Sequence, residues 1–336
     1  MRGASLTSFG KSPIAADLTP PKGGSGRALV RVDAAPINQL DLLIASGRFY
    51  GGAPDVPYVP GAEGVGTVVE ADALEPGTRV WFAFDRFDNA LGSMAELCSV
   101  EEARAMVIRH DIDDETAAAL GLTGVAAWMS LSRRGRIEPG EHVLVLGAGG
   151  AVGQIALQAA RLLGAGRVIG ASRSEEGRAI AQKLGADAVV DSSGDDVDVI
   201  GARIQDACDG QLSLVIDPVW GTIAAAAIRA LGPTGRLVNF GSSGGPIAPL
   251  DSGVIRSKSL TVLGYTNVML SFDEMCTAVT ALHEHAAQGR IQVLVESVGL
   301  DDIAAAFKRA GESPHRKLVV VPRYRAGLAG RRGRRT

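Results

Sequence analysis

The stretch Glu141–Ala171, EHVLVLGAGGAVGQIALQAARLLGAGRVIGA, constrains this chain more than any other. It opens on the apolar run His142–Leu146, short and rich in valine and leucine, as expected for a buried parallel strand. Gly147, Gly149, Gly150 and Gly153 follow. Apolar residues then recur at helical spacing (Val152, Ile155, Ala156, Ala159, Leu162, Leu163) until Gly164 and Gly166 stop the helix. Arg167–Ala171 reads as the next strand. Strand, glycine turn, helix and strand within some thirty residues make the βαβ unit that holds a dinucleotide. Glycines let backbone N–H groups approach a pyrophosphate, and the positive helix end favours its charge. The strict G-x-G-x-x-G is missed, because Ala148 stands where its first glycine belongs, leaving Gly147-x-x-Gly150-x-x-Gly153. The backbone from Gly147 through Ala148, Gly149, Gly150, Ala151 and Val152 to Gly153 is expected to line the cofactor.

The rest of the chain bounds the setting. At 336 residues it is long enough for two domains, and 46% hydrophobic with 21% charged residues is a globular composition. No apolar run has membrane-spanning length and the first residues lack a signal-peptide block, so a cytoplasmic protein is expected. Cys98, Cys208 and Cys276 are odd in number and widely spaced, and read as reduced thiols rather than a disulfide framework. Neither they nor His283-Glu284-His285 have metal-site spacing, and no metal is expected. The net charge of −3 hides residues 323–336, with six arginines and no acid, read as a disordered tail. The remaining body, at −9, argues against nucleic acid as the main ligand.

The first hundred residues read as antiparallel β structure. Arg27–Val32 alternates as a strand, 61–69 reads as a glycine-broken strand pair, and Arg79–Phe84 follows the Pro76-Gly77 turn. The acidic cluster at Asp111–Glu115 suits a helix N-terminus. Beyond the βαβ unit, strands at Ala188–Val190, Leu214–Asp217, Leu237–Phe240 and Leu260–Gly264 alternate with helices, which predicts an α/β fold with a doubly wound parallel sheet. Phe272–Gln288 is amphipathic, and a helix at Asp301–Arg309 and a strand at Leu318–Val321 complete the pattern.

Several landmarks together resemble the medium-chain dehydrogenase/reductase superfamily. They are VDAAPINQLD (32–41), PGAEGVG (60–66), GSMAE (92–96), Leu122-Thr123-Gly124, the glycine turn, KLGAD (183–187) and NFGSS (239–243). The resemblance spans Gly26–Pro322. It implies a GroES-like β-barrel domain (1–118), a Rossmann domain (119–265), a C-terminal return to the first domain (266–322) and the basic tail (323–336). Zinc-dependent members carry a cysteine where this chain has Asn38 and a histidine where it has Ala62, and neither replacement offers zinc a thiolate or an imidazole. The chain therefore resembles the zinc-independent, quinone oxidoreductase-like branch. That implies hydride transfer from nicotinamide to a quinone or another small conjugated carbonyl. Asn38 and Asp41 are expected near nicotinamide and substrate, a turn cap and a surface charge being the plainer readings of the same residues. Thr123, Asn239, Gly241 and Ser242 are expected on the cofactor side. Relatives often place a tyrosine where this chain has Phe49, with Tyr50 next to it, so Tyr50 is read either as a proton donor or as a packing residue. Arg48 is a second polar candidate at that loop.

Cofactor choice rests on the end of the second strand. NAD sites normally place an acid there for the ribose 2′-OH. Here Ser172 and Arg173 occupy the place, a hydroxyl and a guanidinium that suit a 2′-phosphate, so NADPH is expected, with Arg178 either helping or merely solvated. Two other readings remain: an enoyl-thioester reductase, and a non-catalytic NADPH-binding relative with a structural or nucleic-acid role for the arginine tail. A homodimer is expected by analogy, with Leu260–Gly264 near the sheet edge.

Overall fold

The structure, a computed structural model, describes residues 1–84, 92–312 and 314–323. The chain begins with β1 (Arg2–Ser5), β2 (Ile14–Asp17), β3 (Arg27–Pro36), α1 (Gln39–Ala45), β4 (Glu63–Glu70), β5 (Arg79–Ala83), β6 (Leu97–Glu101), β7 (Ala105–Val107) and α2 (Asp114–Ala119). It continues through α3 (Leu122–Met129), β8 (His142–Leu146), α4 (Ala151–Leu162), β9 (Arg167–Ser172), α5 (Glu175–Lys183), β10 (Ala188–Asp191) and α6 (Val197–Cys208). Then come β11 (Leu212–Asp217), α7 (Thr222–Ala230), β12 (Leu231–Asn239), α8 (Ser252–Ser257), β13 (Thr261–Gly264) and α9 (Phe272–Ala287). The last elements are β14 (Val295–Val298), α10 (Ile303–Gly311) and β15 (Lys317–Val320). These form two compact units: Met1–Gly121 with the chain from Val295 on, and Leu122–Leu294.

In the first unit the strands run β14-β15-β3-β4-β5-β7, with β6 also paired to β3. Strand β3 can serve three partners because its register shifts after Leu29 and after Val32, which bends it. Its alternate residues Ala28, Val30, Val32 and Ala34 are buried, and Val30 and Val32 pack with Phe82, Met94, Cys98, Leu318 and Val320. The glycine-broken pair expected at 61–69 is instead one strand, β4. Gly66 keeps it continuous, since a Cβ there would collide with the Arg31 carbonyl oxygen of β3.

The second unit holds a six-stranded sheet in the order β10-β9-β8-β11-β12-β13, every pair parallel. The order reverses between β8 and β11, and ligands of doubly wound sheets bind at the carboxyl ends of the strands beside that reversal. Leu144, Leu146, Ile169, Val215 and Leu237 fill one core of this unit.

The return to the first unit starts later than the expected position 266. Residues 266–294, α9 included, belong to the second unit. Polar ties hold them there: Asn267 Nδ2 donates to Leu122 O (2.9 Å), Arg133 pairs with Glu274 (3.1 Å), and the Leu294 amide donates to Gln154 Oε1 (2.9 Å). An amphipathic pattern says that α9 has a buried face, but not which unit that face meets. From Tyr324 on, the expected basic tail lies outside the described residues. Among the described residues no helix is long and apolar enough to cross a membrane.

Candidate active site

The glycine turn joins β8 to α4. Gly147 takes a φ of +64°, a left-handed conformation natural to glycine, so the tight turn falls one residue before the position the strict motif assigns. Ala148 can then keep its methyl: the side chain is buried against Gly170, and its amide donates to Ala171 O (2.9 Å). Gly150 is the helix N-cap and offers no side chain to its first-turn N–H groups, which leaves those donors for a ligand. Gly153 has a different job. A Cβ there would collide with Gly147 O and lie 2.6 Å from Ala148 Cα. Buried Gln154 fastens the loop, donating from Nε2 to Gly149 O (2.8 Å). Sequence reading missed this residue, although a glutamine beside the apolar stripe of a buried helix was its signal.

At the carboxyl end of β9, Ser172 is buried and Arg173 exposed. Arg178 is no idle helix residue: its Nη1 donates to Ser172 O and Arg173 O (both 3.1 Å) and pairs with Asp191 Oδ1 (3.0 Å) on the neighbouring strand. It fixes the strand end and neutralises the acid beside it. The Arg173 guanidinium makes no bond to any described residue.

Asp217 closes β11. Fully buried, it accepts from the amides of Val219 (2.8 Å) and Trp220 (2.7 Å) and from Asn239 Nδ2 (3.1 Å), and burial pushes its carboxyl above the ordinary value. Asn239 also donates to Gly241 O (2.8 Å), so two adjacent strand ends are tied together. Gly241 lies so close to Pro218 O that a Cβ would strike it. Ser242 is exposed on the same loop, and Thr123 is buried on α3.

In the first unit Asn38 caps α1 and Asp41 lies in its first turn. Asp41 is no surface charge, being 2% exposed. Its two oxygens accept from the backbone amides of Asn38 (2.7 Å) and Ala62 (2.9 Å). Asn38 bridges two charges: Nδ2 donates to Glu63 Oε1 (2.9 Å), while Oδ1 accepts from Lys317 Nζ (2.6 Å). Trp81 Nε1 donates to the other Glu63 oxygen (2.8 Å). Burial raises Asp41 to about 6 against its backbone hydrogen bonds, and lowers Lys317 to about 8 against the pull of Glu63 and Asp41. The ring of Phe49 packs on the core while Tyr50, 75% exposed, lies against it with centroids 4.5 Å apart. Glu63, Trp81 and Lys317 escaped the sequence reading as a group, because nothing local links residues so far apart in the chain.

Two family models match the chain: the alcohol dehydrogenase GroES-like domain over residues 24–114 and the zinc-binding dehydrogenase over 151–284. The quinone oxidoreductase of Pseudomonas aeruginosa is 30% identical over 247 residues, covering 72% of this chain and 73% of that one. The chain belongs to the medium-chain dehydrogenase/reductase superfamily, quinone oxidoreductase-like branch. The quinone oxidoreductase of Escherichia coli, solved with NADPH, superposes on this chain with a TM-score of 0.84 at 25% identity, covering 96% and 100% of the two chains. A phenolphthiocerol/phthiocerol polyketide synthase subunit of Mycobacterium tuberculosis is 31% identical over 303 residues, 87% of this chain but only 13% of its own length.

One of those models is named for zinc, and the side chains around Asn38 and Ala62 do not fit that ion. Ala62 brings no donor atom, the Asn38 carboxamide is held between Lys317 and Glu63, and both Glu63 carboxylate oxygens accept hydrogen bonds. Among the described residues no three His, Cys, Asp or Glu side chains gather as a metal site.

The Asp41 geometry has a direct consequence. Both oxygens serve as acceptors, so Asp41→Asn turns an amide NH2 toward a backbone N–H. At neutral pH the unmade hydrogen bond costs about 2 kcal/mol, and removal of the buried negative charge offsets it, so little net change in stability is expected there. The folded carboxyl sits at about 6 against an ordinary 3.8, so the fold binds the extra proton between those values. Stability from that proton is complete below about pH 4 and is lost as pH rises through 6. Urea unfolding across pH 4–8 should show this slope in the wild type and a flatter one in Asp41→Asn; equal slopes would remove Asp41 as its source.

Proposed function

We propose that this chain is a zinc-independent NADPH oxidoreductase that transfers hydride to a quinone or another small conjugated carbonyl. The observation that carries the cofactor assignment is the Ser172-Arg173 strand end. There a buried hydroxyl, and a guanidinium with no bond to any described residue, replace the acid of an NAD site. The glycine cradle fits the pyrophosphate of such a cofactor, and relatives solved with NADPH support the same choice. When bound, NADPH supplies the hydride. The chain's own residues then hold and orient: Gly147–Gly153 the pyrophosphate, Ser172 and Arg173 the 2′-phosphate, Thr123, Asn239, Gly241 and Ser242 the nicotinamide side. Asn38 and Asp41 form the acceptor-side polar wall. The donor set at Asn38, Ala62 and Glu63 supports chemistry without a Lewis-acid metal, which favours acceptors already poor in electrons. Two electrons arrive as the hydride, and a proton from solvent or from Tyr50 completes the reduction.

A second reading, reduction of enoyl thioesters, is favoured by the likeness to a polyketide synthase subunit, because polyketide chains are carried as thioesters. The test is NADPH oxidation followed optically with quinones, conjugated enals and enoyl thioesters, run beside NADH. Quinone turnover with NADPH, and little with NADH, is the expected result. Thioester reduction alone moves the assignment to the second reading and makes Tyr50→Phe the next variant; tight NADPH binding without turnover of any acceptor overturns both. The reading includes a cytoplasmic homodimer. The outer edge of β13, unpaired among the described residues and with Thr261 and Val262 exposed, is the surface such pairing would use.

A further inference from the structure

The last strand is buried along its whole length and carries one charged side chain, a lysine. All four residues of β15 are buried, and Val319 and Val320 pair with Pro36 and Ala35 of β3. Three of the four are Leu, Val and Val; the fourth is Lys317, 7% exposed. Burying an ammonium is strongly unfavourable unless it is paired, so its partners identify its use. Those partners include the Asn38 oxygen at 2.6 Å and the charges of Glu63 and Asp41.

We propose that Lys317 is a positioning residue for the acceptor-side centre, its ammonium fixing which way the Asn38 carboxamide faces. An amide can present either end to its surroundings. Here a cation takes the oxygen and a carboxylate takes the nitrogen, so the flipped amide would set NH2 against NH3⁺ and C=O against COO⁻. The Glu63 carboxylate is in turn held by Trp81 Nε1, and the Ser93 hydroxyl donates to the Glu63 carbonyl. The chain Lys317–Asn38–Glu63–Trp81 runs through strands β15, β4 and β5 and the cap of α1, so each link is mounted on a rigid element. Lowering of the lysine to about 8 fits an ammonium that is buried yet still charged at neutral pH. The returning strand thus brings to the centre a side chain that the first hundred residues do not supply. The inference rests on the proposed reductase reading for its kinetic consequence, though not for the clamp itself.

The test is a double-mutant cycle of Lys317→Met and Glu63→Gln, read by thermal unfolding and by NADPH oxidation with the quinone that the wild type turns over. Lys317→Met leaves Glu63 and Asp41 without their cation, and Glu63→Gln leaves Lys317 with Asp41 alone, so each single change is expected to lower Tm by several degrees. The double variant, with both charges gone, should recover much of that loss. Turnover should behave differently. The double variant is expected to keep kcat reduced by roughly 30-fold with KM for NADPH within about twofold of wild type, because a neutral carboxamide at position 63 no longer tells the two ends of the Asn38 amide apart. Additive Tm losses would overturn the clamp. Recovery of kcat together with Tm would make Lys317 a packing residue and overturn the positioning role. A wild type that fails to oxidise NADPH with any of the quinones, enals and enoyl thioesters overturns the reductase reading, while the Tm cycle still decides the clamp. Because the double variant restores charge balance, it remains measurable even where Lys317→Met alone does not fold.

Discussion

Gly153→Ala is expected to destabilise the second unit by about 3 kcal/mol, the upper range for overpacking, because the clash is with backbone and not with a side chain that can turn away. The added methyl would strike Gly147 O and lie 2.6 Å from Ala148 Cα, so β8 and α4 must separate where the turn joins them. That separation moves the first-turn N–H groups off the pyrophosphate, and NADPH affinity is expected to fall ~100-fold, or about 2.8 kcal/mol. Gly150→Ala is the control. Its Cβ would lie 3.4 Å from Gly147 O, a contact the turn can absorb. The expected loss there is about 0.5 kcal/mol of stability for a poorer N-cap, with weaker cofactor binding because a methyl stands where the ligand approaches. Thermal unfolding and NADPH titration of the two variants separate the jobs: Gly153 holds helix to strand, and Gly150 leaves space. Equal stability of both variants would show that the turn has slack the structure does not display.

The sequence announced the second unit more fully than the first. A strand buried on both faces is apolar throughout, so β8 and the apolar second halves of β11 and β12 could be found from composition, and their alternation with helices forced parallel pairing. The glycine turn then located the reversal of strand order. Even the departure at Ala148 was readable as a departure, although only the structure shows that Gly147 takes over the left-handed turn. The resemblance singles out Asn38 and Asp41 but says nothing of their surroundings. Lys317 and Asn38 lie 279 residues apart, and no periodicity tells which side chain of a short strand will meet which helix cap. Glu63 and Trp81, 18 residues apart, are joined to that cluster only by the fold. Arg178 illustrates the local version of this limit: its helical spacing fits a solvated face, and only the backbone path after β9 shows it reaching back to two carbonyls. For α9 the amphipathic pattern was right and the choice of unit was wrong, since partner choice rests on Asn267, Glu274 and Leu294 meeting residues 145, 141 and 140 positions away.

Arg173→Glu tests the cofactor assignment most severely, and its expected effect is a reversal of preference. With its guanidinium unpaired among the described residues, Arg173 gives up no internal salt bridge there when it meets a phosphate. Its binding energy is therefore undiluted by competition from those residues. Losing one or two charge-assisted hydrogen bonds costs roughly 1.5–3 kcal/mol each, and the new carboxylate adds repulsion toward a dianionic 2′-phosphate. NADPH affinity is expected to fall by ~100-fold or more, at about 1.4 kcal/mol per tenfold. NADH has no phosphate to lose, and the new acid stands where NAD sites place theirs for the ribose hydroxyl, so its affinity is expected to hold or rise. Arg178→Met distinguishes charge from scaffold. It frees the Ser172 and Arg173 carbonyls and unpairs Asp191, so it should weaken both cofactors, with NADPH weakened more as the strand end loosens and the acid is exposed. Raising salt should narrow the wild-type preference for NADPH and leave Arg173→Glu with little left to narrow, because added salt screens the attraction between an exposed guanidinium and a phosphate. If Arg173→Glu keeps its NADPH affinity, the 2′-phosphate is read elsewhere and the strand-end argument fails. If NADPH and NADH weaken together, Arg173 shapes the strand end and does not read the phosphate.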